Sequence, residues 1–185
     1  EVYNYPALKI ELGCAGAVFR GGSDTEIILA AIDHWGLKLA LGKLNGMFAF
    51  ALWDRTERRL HLVRDRLGKK PLYVGWAGNA LVFASEMKAL MAFDFNKKLD
   101  YSSMHEYFYY NYIPYPNTIF EDVKKIKPGH YFIVNDNGEL KETQYYKIDK
   151  TEPSNYIYSD YEKAKQDLRT KLTESVQKRM VSDVP

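Results

Sequence analysis

Apolar positions in the first part of the chain recur with helical spacing. Ser23 and Glu26 match the S-x-x-E capping box that begins many helices. The apolar residues that follow lie three and four positions apart up to Trp35, and Gly36 then ends the pattern, so a helix is predicted over this stretch. Shorter helices are predicted over residues 6–12, 37–44, 85–91 and 102–110.

After Gly46 the hydrophobic pattern becomes that of strands. Residues 47–53 are almost wholly apolar, which predicts a strand buried on both faces. Polar turns separate further apolar runs, and these runs predict antiparallel pairs. The pairs are 47–53 with 60–63, 71–76 with 80–84, and 131–134 with 140–146, and a short isolated strand is predicted at 18–19.

The last part of the chain has a different pattern. Residues 147–159 are polar and rich in turn formers, which predicts a linker. Ser159 and Glu162 form a second S-x-x-E pattern. Apolar residues then recur every fourth position, at Ala164, Leu168, Leu172, Val176 and Met180. An amphipathic helix with this stripe must pack on something, so we assign residues 1–150 to one domain and 159–185 to the lead-in of a following domain.

Composition narrows the class of protein. Of 185 residues, 46% are hydrophobic and 27% charged, which is typical of a globular chain. Lys and Arg total 26 against 24 Asp and Glu, so a net charge of +2 argues against a nucleic-acid partner. No run approaches the roughly 20 apolar residues of a membrane span. The single cysteine excludes a disulfide framework and favours a reducing, cytoplasmic location.

Cysteine and histidine offer little chemistry in this sequence. Cys14 lies between small apolar residues and has no neighbouring base or positive charge, so a packed structural cysteine is favoured over a nucleophile. The four histidines, His34, His61, His105 and His130, are not spaced as metal ligands, and no metal site is expected.

Asp24 has two interpretations. As a structural residue it lies in the first turn of the predicted helix, where a carboxylate stabilises the helix dipole by roughly 0.3–1 kcal/mol. As a functional residue it is a short acid that follows the Gly21-Gly22 loop, a position suited to binding the ammonium group of a substrate.

Two further clusters are interpreted as structural. Residues 64–73 place five charges between two predicted strands, and we favour a salt-bridged turn, with Gly68 in a special backbone conformation, over a phosphate site. The aromatic run 107–115 lacks an accompanying basic stripe, so packing within a helix and loop is favoured over base stacking.

Taken together, these segments resemble the glutamine-dependent asparagine synthetases. Seven stretches match in order and spacing over essentially the whole chain. They are EVYNY (1–5), SDTE (23–26), LNGMFAFA (44–51), RDRLG (64–68), KPLY (70–73), SEMKAL (85–90) and SDVP (182–185). The resemblance implies an α+β fold of the N-terminal-nucleophile hydrolase type, an αββα sandwich that is incomplete in this segment. The first helix of an ATP-pyrophosphatase domain would follow it.

The resemblance also implies a reaction. In this family an N-terminal cysteine, with its own α-amino group as base, releases ammonia from glutamine. The ammonia crosses to a second domain, where ATP adenylates a carboxylate acceptor. Glu1 matches the Glu of the family's Asn-Gly-Glu motif, so the nucleophile, the oxyanion-hole residues and a substrate-binding Arg would precede residue 1. The pyrophosphate loop would follow Pro185. No catalytic residue is therefore expected among these 185, and the segment alone is expected to be inactive.

The roles implied for individual residues are few. Glu1 and Asp24 match residues that bind the α-amino end of L-glutamine, and Met47 matches one at the start of the ammonia path. Relatives often have an apolar residue near this path at the position where this chain has Lys69. Aspartate as acceptor, ATP with Mg²⁺ in the synthetase domain, and a homodimer are expected. The alternatives are another acceptor, such as a sugar carboxylate in polysaccharide synthesis, or a degenerate, non-catalytic module.

Overall fold

The computed structural model describes residues 1–148 and 160–180. Its chain divides into two compact units. One comprises residues 1–46 together with the segment from residue 148 onward, and the other comprises residues 47–147. The first unit is helical and the second contains two antiparallel sheets.

Four helices form the first unit: α1 (Tyr5–Cys14), α2 (Asp24–Trp35), α3 (Leu37–Lys43) and α6 (Tyr161–Arg179). Pro6 lies in the first turn of α1, where its missing N–H costs no helical hydrogen bond. Gly36 ends α2 and directly precedes α3, at a φ of 75° that favours glycine. The apolar faces of α1, α2 and α3 are buried at Leu8, Leu12, Ile27, Ala31, Ala40 and Leu41.

The first sheet of the second unit has the order β1-β2-β6-β7 and is antiparallel throughout. Its strands are β1 (Ala49–Asp54), β2 (Arg59–Arg64), β6 (His130–Val134) and β7 (Leu140–Gln144). The second sheet has the order β4-β3-β5, with β3 (Tyr73–Ala77), β4 (Ala80–Ala84) and β5 (Val123–Lys125). Two short helices, α4 (Met87–Leu90) and α5 (Tyr101–Tyr110), belong to the same unit.

The core of the second unit lies between its two sheets. Leu62 and Phe132 of the first sheet pack with Val74 of the second and with Leu72 and Ile126 beside it. The opposite face of the second sheet is buried against α4 in a second cluster, which contains Val82, Leu90, Phe95 and Val123. The layers of this unit are therefore sheet, sheet and helix, because the second sheet is covered on one face by the first sheet and on the other by α4.

The helix and hairpin predictions for residues 1–148 are largely confirmed, with three corrections. Residues 18–19 form no strand. β1 is not buried on both faces, because Ala51 and Trp53, which share one face, are exposed, Trp53 to 49%. β5 was not predicted, because its Val-Lys-Lys sequence carries no strand pattern and its pairing with β3 is non-local.

The C-terminal helix is confirmed as a helix with a different cap. Asp160 accepts the N–H groups of Glu162 and Lys163, so it takes the role predicted for Ser159, which lies outside the described residues together with most of the predicted linker. The apolar stripe of α6 is exposed: Leu168, Leu172 and Val176 are 57–59% accessible. Among the residues described, no helix is long and apolar enough to cross a membrane.

Candidate functional site

The Asp24 carboxylate turns away from its own helix and toward the start of the chain. Ser23 caps α2 by accepting the Thr25 N–H at 3.2 Å, so the helix terminus does not need Asp24 as its cap. Oδ2 of Asp24 instead accepts the N–H of Val2 at 3.0 Å and lies 3.7 Å from the main-chain nitrogen of Glu1. The side chain is 31% exposed, so a ligand can reach this half-buried carboxylate.

The loop before Asp24 is fixed by side chains from two helices. Glu26 accepts the N–H of Arg20 at 2.8 Å and that of Gly21 at 2.9 Å, and Lys9 donates to the carbonyl of Gly21 at 3.0 Å. These two N–H groups lower the pKa of Glu26 below its ordinary value. The predicted capping box is therefore wrong in its second half, because Glu26 closes the preceding loop and not the helix terminus.

The Glu1–Val2 segment is held by residues that follow α3. Val2 forms an isolated antiparallel bridge with Gly46, and the Tyr3 N–H donates to the Asn45 carbonyl at 2.7 Å. The Val2 side chain is buried, whereas that of Glu1 is 69% exposed. The structure thus places the half-buried Asp24 carboxylate beside the main chain of Glu1, whose own side chain is exposed.

Met47, the third predicted site residue, begins the second unit, where it precedes the buried Phe48. Phe48 and Asp65 are doubly linked: the Asp65 N–H donates to the Phe48 carbonyl at 2.9 Å, and the Phe48 N–H donates to Asp65 Oδ2 at 3.3 Å. Met47 is therefore attached to a segment whose backbone is fixed. Lys69, which departs from the family pattern, has an exposed side chain.

Asp65 is the centre of a buried polar network. It is 1% exposed and accepts four main-chain N–H groups. Oδ1 accepts from Leu67 at 3.1 Å and Lys69 at 2.9 Å, and Oδ2 accepts from Lys70 at 2.9 Å in addition to Phe48. One carboxylate thereby satisfies the amides of the tight turn between β2 and β3.

Arg64 stabilises the same turn from its other side. Its guanidinium donates to the carbonyls of Gly68 at 2.8 Å, Lys70 at 2.9 Å and Ile126 at 2.5 Å. Burial lowers its pKa from the ordinary arginine value, and Asp65 opposes that shift. The structural interpretation of residues 64–73 is confirmed, and Gly68 has a φ of 66°. The salt-bridged turn is corrected, because Arg64 and Asp65 bond main-chain groups.

The prediction of a packed cysteine is wrong, because Cys14, the last residue of α1, is exposed. The aromatic run after position 106 packs within its helix and loop, as predicted, although its side chains are largely exposed. Its rings contact each other in edge-on or tilted pairs: Tyr107 with Phe108, Tyr109 with Tyr110, and Tyr110 with Tyr112. Within residues 1–148 and 160–180, no group of three or more His, Cys, Asp or Glu side chains could hold a metal ion.

The sequence of this chain matches a known family of domains. The family described as "Glutamine amidotransferase domain" matches residues 1–146. This chain belongs to that family. Asparagine synthetase [glutamine-hydrolyzing] 1 of Bacillus subtilis is 35% identical over 185 residues, which are 100% of this chain and 28% of that protein. A putative asparagine synthetase [glutamine-hydrolyzing] of Mycobacterium tuberculosis is 34% identical over 190 residues, 100% of this chain and 29% of its own length.

This glutamine amidotransferase domain also has solved relatives. The glutamine phosphoribosylpyrophosphate amidotransferase of B. subtilis superposes with a TM-score of 0.57 at 25% identity, over 78% of this chain and 27% of that one. These likenesses confirm the predicted α+β fold of the N-terminal-nucleophile hydrolase type. The chain spans less than a third of the length of these two asparagine synthetases.

Sequence reasoning missed Gly46 and Asp65. Gly46 was recognised only as the point after which the hydrophobic pattern becomes that of strands. Asp65 was recognised only as one of five charges in a connection. In both cases the available signal was a residue type that is unusual for its surroundings. Gly46 is a glycine directly before an apolar strand, and Asp65 is an acid between two arginines.

Proposed function

We propose that this chain is the glutamine-hydrolysing part of an asparagine synthetase-type ligase. Hydrolysis breaks the C–N bond of the glutamine side-chain amide, adds water at the carbonyl carbon, and gives glutamate and ammonia. The ammonia then attacks the carbonyl carbon of an adenylated carboxylate, and AMP leaves with the bonding electrons. With aspartate as the acceptor, the product is asparagine.

The observation that carries this proposal is the extent of the similarity. The amidotransferase family covers residues 1–146, whereas the asparagine synthetases align with the entire chain, including the segment that contains α6. The exposed stripe of α6 is consistent with its belonging to an acceptor-activating domain that continues from it.

The glutamine end of the reaction is proposed for Glu1 and Asp24. A substrate α-ammonium placed beside these carboxylates would make charge-assisted hydrogen bonds, which are stronger than neutral ones. Asp24 is held in place by the Val2 N–H and is half-buried, so it loses little freedom on binding. The nucleophile would be an N-terminal cysteine and not Cys14, which is exposed at the end of α1.

Met47 is proposed to line the start of the ammonia path. Uncharged ammonia is the nucleophilic form, so the path must exclude water and charge. Lys69 is compatible with such a path as long as its ammonium group stays in solvent, and its side chain is exposed.

The remaining partners are proposed for the acceptor-activating part. ATP and Mg²⁺ would bind there, as the similarity to the asparagine synthetases implies. We also propose a homodimer and a cytoplasmic location. No nucleic-acid or membrane partner is proposed, in keeping with the near-neutral charge of the chain.

A different acceptor is the second candidate, and a specific similarity favours keeping it. Amidase chry2 of Gibberella zeae is 32% identical over the entire chain, so a similar domain occurs in a protein that is named for a different activity. The different acceptor that we consider is a sugar carboxylate. A purified full-length protein that releases no glutamate from glutamine would instead favour the non-catalytic module.

The proposal is tested by replacing Asp24 with asparagine in the full-length protein. An asparagine oxygen can still accept the Val2 N–H, while the charge that would bind the substrate ammonium is lost. A charge-assisted contact contributes on the order of 1.5–3 kcal/mol, so kcat/KM for glutamine should fall roughly tenfold to a hundredfold. Activity driven by ammonium chloride should be unchanged, because it bypasses the glutamine site. Stability should fall by no more than about 1 kcal/mol.

Asp33→Asn is the matched control. Asp33 lies on the same helix and is exposed, so the same substitution there should leave both activities at the wild-type level. Should Asp24→Asn reduce the glutamine-driven and ammonia-driven activities equally, Asp24 would be a structural residue only.

A further inference from the structure

Gly46 is a glycine for a reason other than its own backbone conformation. Six glycines of the described chain have positive φ values, and Gly46 is not among them. An alanine could therefore adopt the same φ and ψ without strain. What the position excludes is the side-chain carbon itself.

The excluded space is filled by the Glu1–Val2 backbone. A Cβ atom built on Gly46 would lie 2.2 Å from the carbonyl oxygen of Glu1 and 2.8 Å from Cα of Val2. Both atoms belong to the main chain, so no flexible side chain can move aside to relieve the overlap. The two segments are also paired as an antiparallel bridge, which explains the close approach.

Asp24 holds the same two residues through a different group. Its Oδ2 accepts the Val2 N–H at 3.0 Å and lies 3.7 Å from the Glu1 nitrogen. Any displacement of Glu1 and Val2 away from Gly46 therefore changes their distances to the Asp24 carboxylate. Gly46 and Asp24 together define where this backbone can lie.

A pair of asparagines keeps the Gly46 contact in register. The Asn45 N–H donates to Asn4 Oδ1 at 2.8 Å, and Asn4 Nδ2 donates to the Lys43 carbonyl at 2.9 Å. The Tyr3 N–H donates to the Asn45 carbonyl at 2.7 Å. Three hydrogen bonds thus tie residues 3–4 to residues 43–45, directly beside the point where Gly46 meets Glu1.

We infer that Gly46 is a positioning residue for glutamine: its missing side chain lets the Glu1 backbone approach, and this sets Glu1 against Asp24 at the separation that binds the substrate ammonium. The inference rests on the proposed function, because it concerns the same glutamine site. Gly46 itself does not contact the substrate. The inference adds that this site depends on the close contact between Gly46, which follows α3, and the Glu1 backbone.

The test is Gly46→Ala in the full-length protein. Binding of L-glutamate, the reaction product that retains the α-ammonium, is measured by calorimetry, and KM and kcat are measured for glutamine. We expect L-glutamate to bind at least tenfold more weakly and KM for glutamine to rise by a similar factor. Ammonia-driven activity should stay at the wild-type level, which a general loss of folding would not allow.

Gly42→Ala is the control for this variant. Gly42 lies in α3, four residues earlier, and a Cβ there would meet nothing within 4 Å, so binding and both activities should be unchanged. Asn4→Ala is the second variant, because it removes the two side-chain hydrogen bonds without creating a clash. It should weaken L-glutamate binding several-fold even where Gly46→Ala does not fold.

The outcomes separate the inference from the function on which it rests. If Asp24→Asn weakens L-glutamate binding while Asn4→Ala and a folded Gly46→Ala both bind it as tightly as the wild type, the positioning role of Gly46 is overturned and the glutamine site stands. If Asp24→Asn also binds L-glutamate normally, the site itself is misplaced and the inference fails with it.

Discussion

Replacing Asp65 with asparagine should destabilise the unit formed by residues 47–147 by about 3–5 kcal/mol. The change is nearly isosteric, so it creates no cavity and removes only a charge and an acceptor. Asp65 is 1% exposed, and each of its two oxygens accepts a pair of main-chain N–H groups. Water cannot replace an acceptor that is lost at this depth.

The magnitude follows from counting the donors that lose their partner. In either orientation of the asparagine amide, its NH₂ group faces two N–H donors, so two hydrogen bonds are lost. Hydrogen bonds to a charged group contribute about 1.5–3 kcal/mol each, which gives about 3–6 kcal/mol. A neutral amide avoids part of the desolvation cost of the carboxylate, and this brings the upper limit down to about 5 kcal/mol.

Hydrogen exchange of the full-length protein resolves the effect by segment. Since 1.4 kcal/mol is a factor of ten, the amides of β2 and of the turn after it should lose about two to three and a half orders of magnitude of protection. Asp136→Asn is the control: Asp136 is 46% exposed and paired with Arg58, and the loss of such a surface pair costs about 0–1 kcal/mol. Equal protection in the two variants would refute the assigned role of Asp65.

The pKa of Glu26 and the exposed stripe of α6 lead to two further predictions. Because the folded-state pKa of Glu26 lies below its ordinary value of 4.5, its contribution to stability is present above that pH and is lost as pH falls through the lower folded value. The amide NMR signals of Arg20 and Gly21 should shift over this acidic range, and Glu26→Gln should abolish that shift; a shift retained in the variant would contradict the contact. For α6, the amides of the 185-residue chain should exchange faster than those of β2, because Leu168 and Leu172 are exposed. Equal protection of the two elements would show that α6 packs within this chain.

Elements with a local signal were predictable from the sequence. α2 has a capping serine, apolar residues at helical spacing and Gly36 at its end, and these determine its bounds without reference to the rest of the chain. The β3–β4 hairpin is similar, because Gly78, with a φ of 59°, lies in the turn between two apolar runs.

Partners across the fold were not predictable in the same way. Glu26 has the correct spacing for a capping box, yet its carboxylate bonds Arg20 and Gly21, a choice that depends on the path of the preceding loop. β5 forms because β3 offers it a free edge, not because its lysines favour a strand. Gly46 likewise acquires its importance from Glu1, which is distant in sequence, and one sequence alone contains no record of that contact.

The Arg64 network has a consequence for how the chain folds while it is being synthesised. One of its acceptors, the Ile126 carbonyl, lies 62 residues further along the chain. At about 5–20 residues per second, a ribosome needs roughly 3–12 seconds to cover that interval. During this time β2 has its hairpin partner β1 but lacks β6, and the guanidinium lacks one carbonyl. The edge of β2 that later pairs with β6 therefore stays unpaired in the nascent chain, and a chaperone that shields β2 would be of most use in that interval.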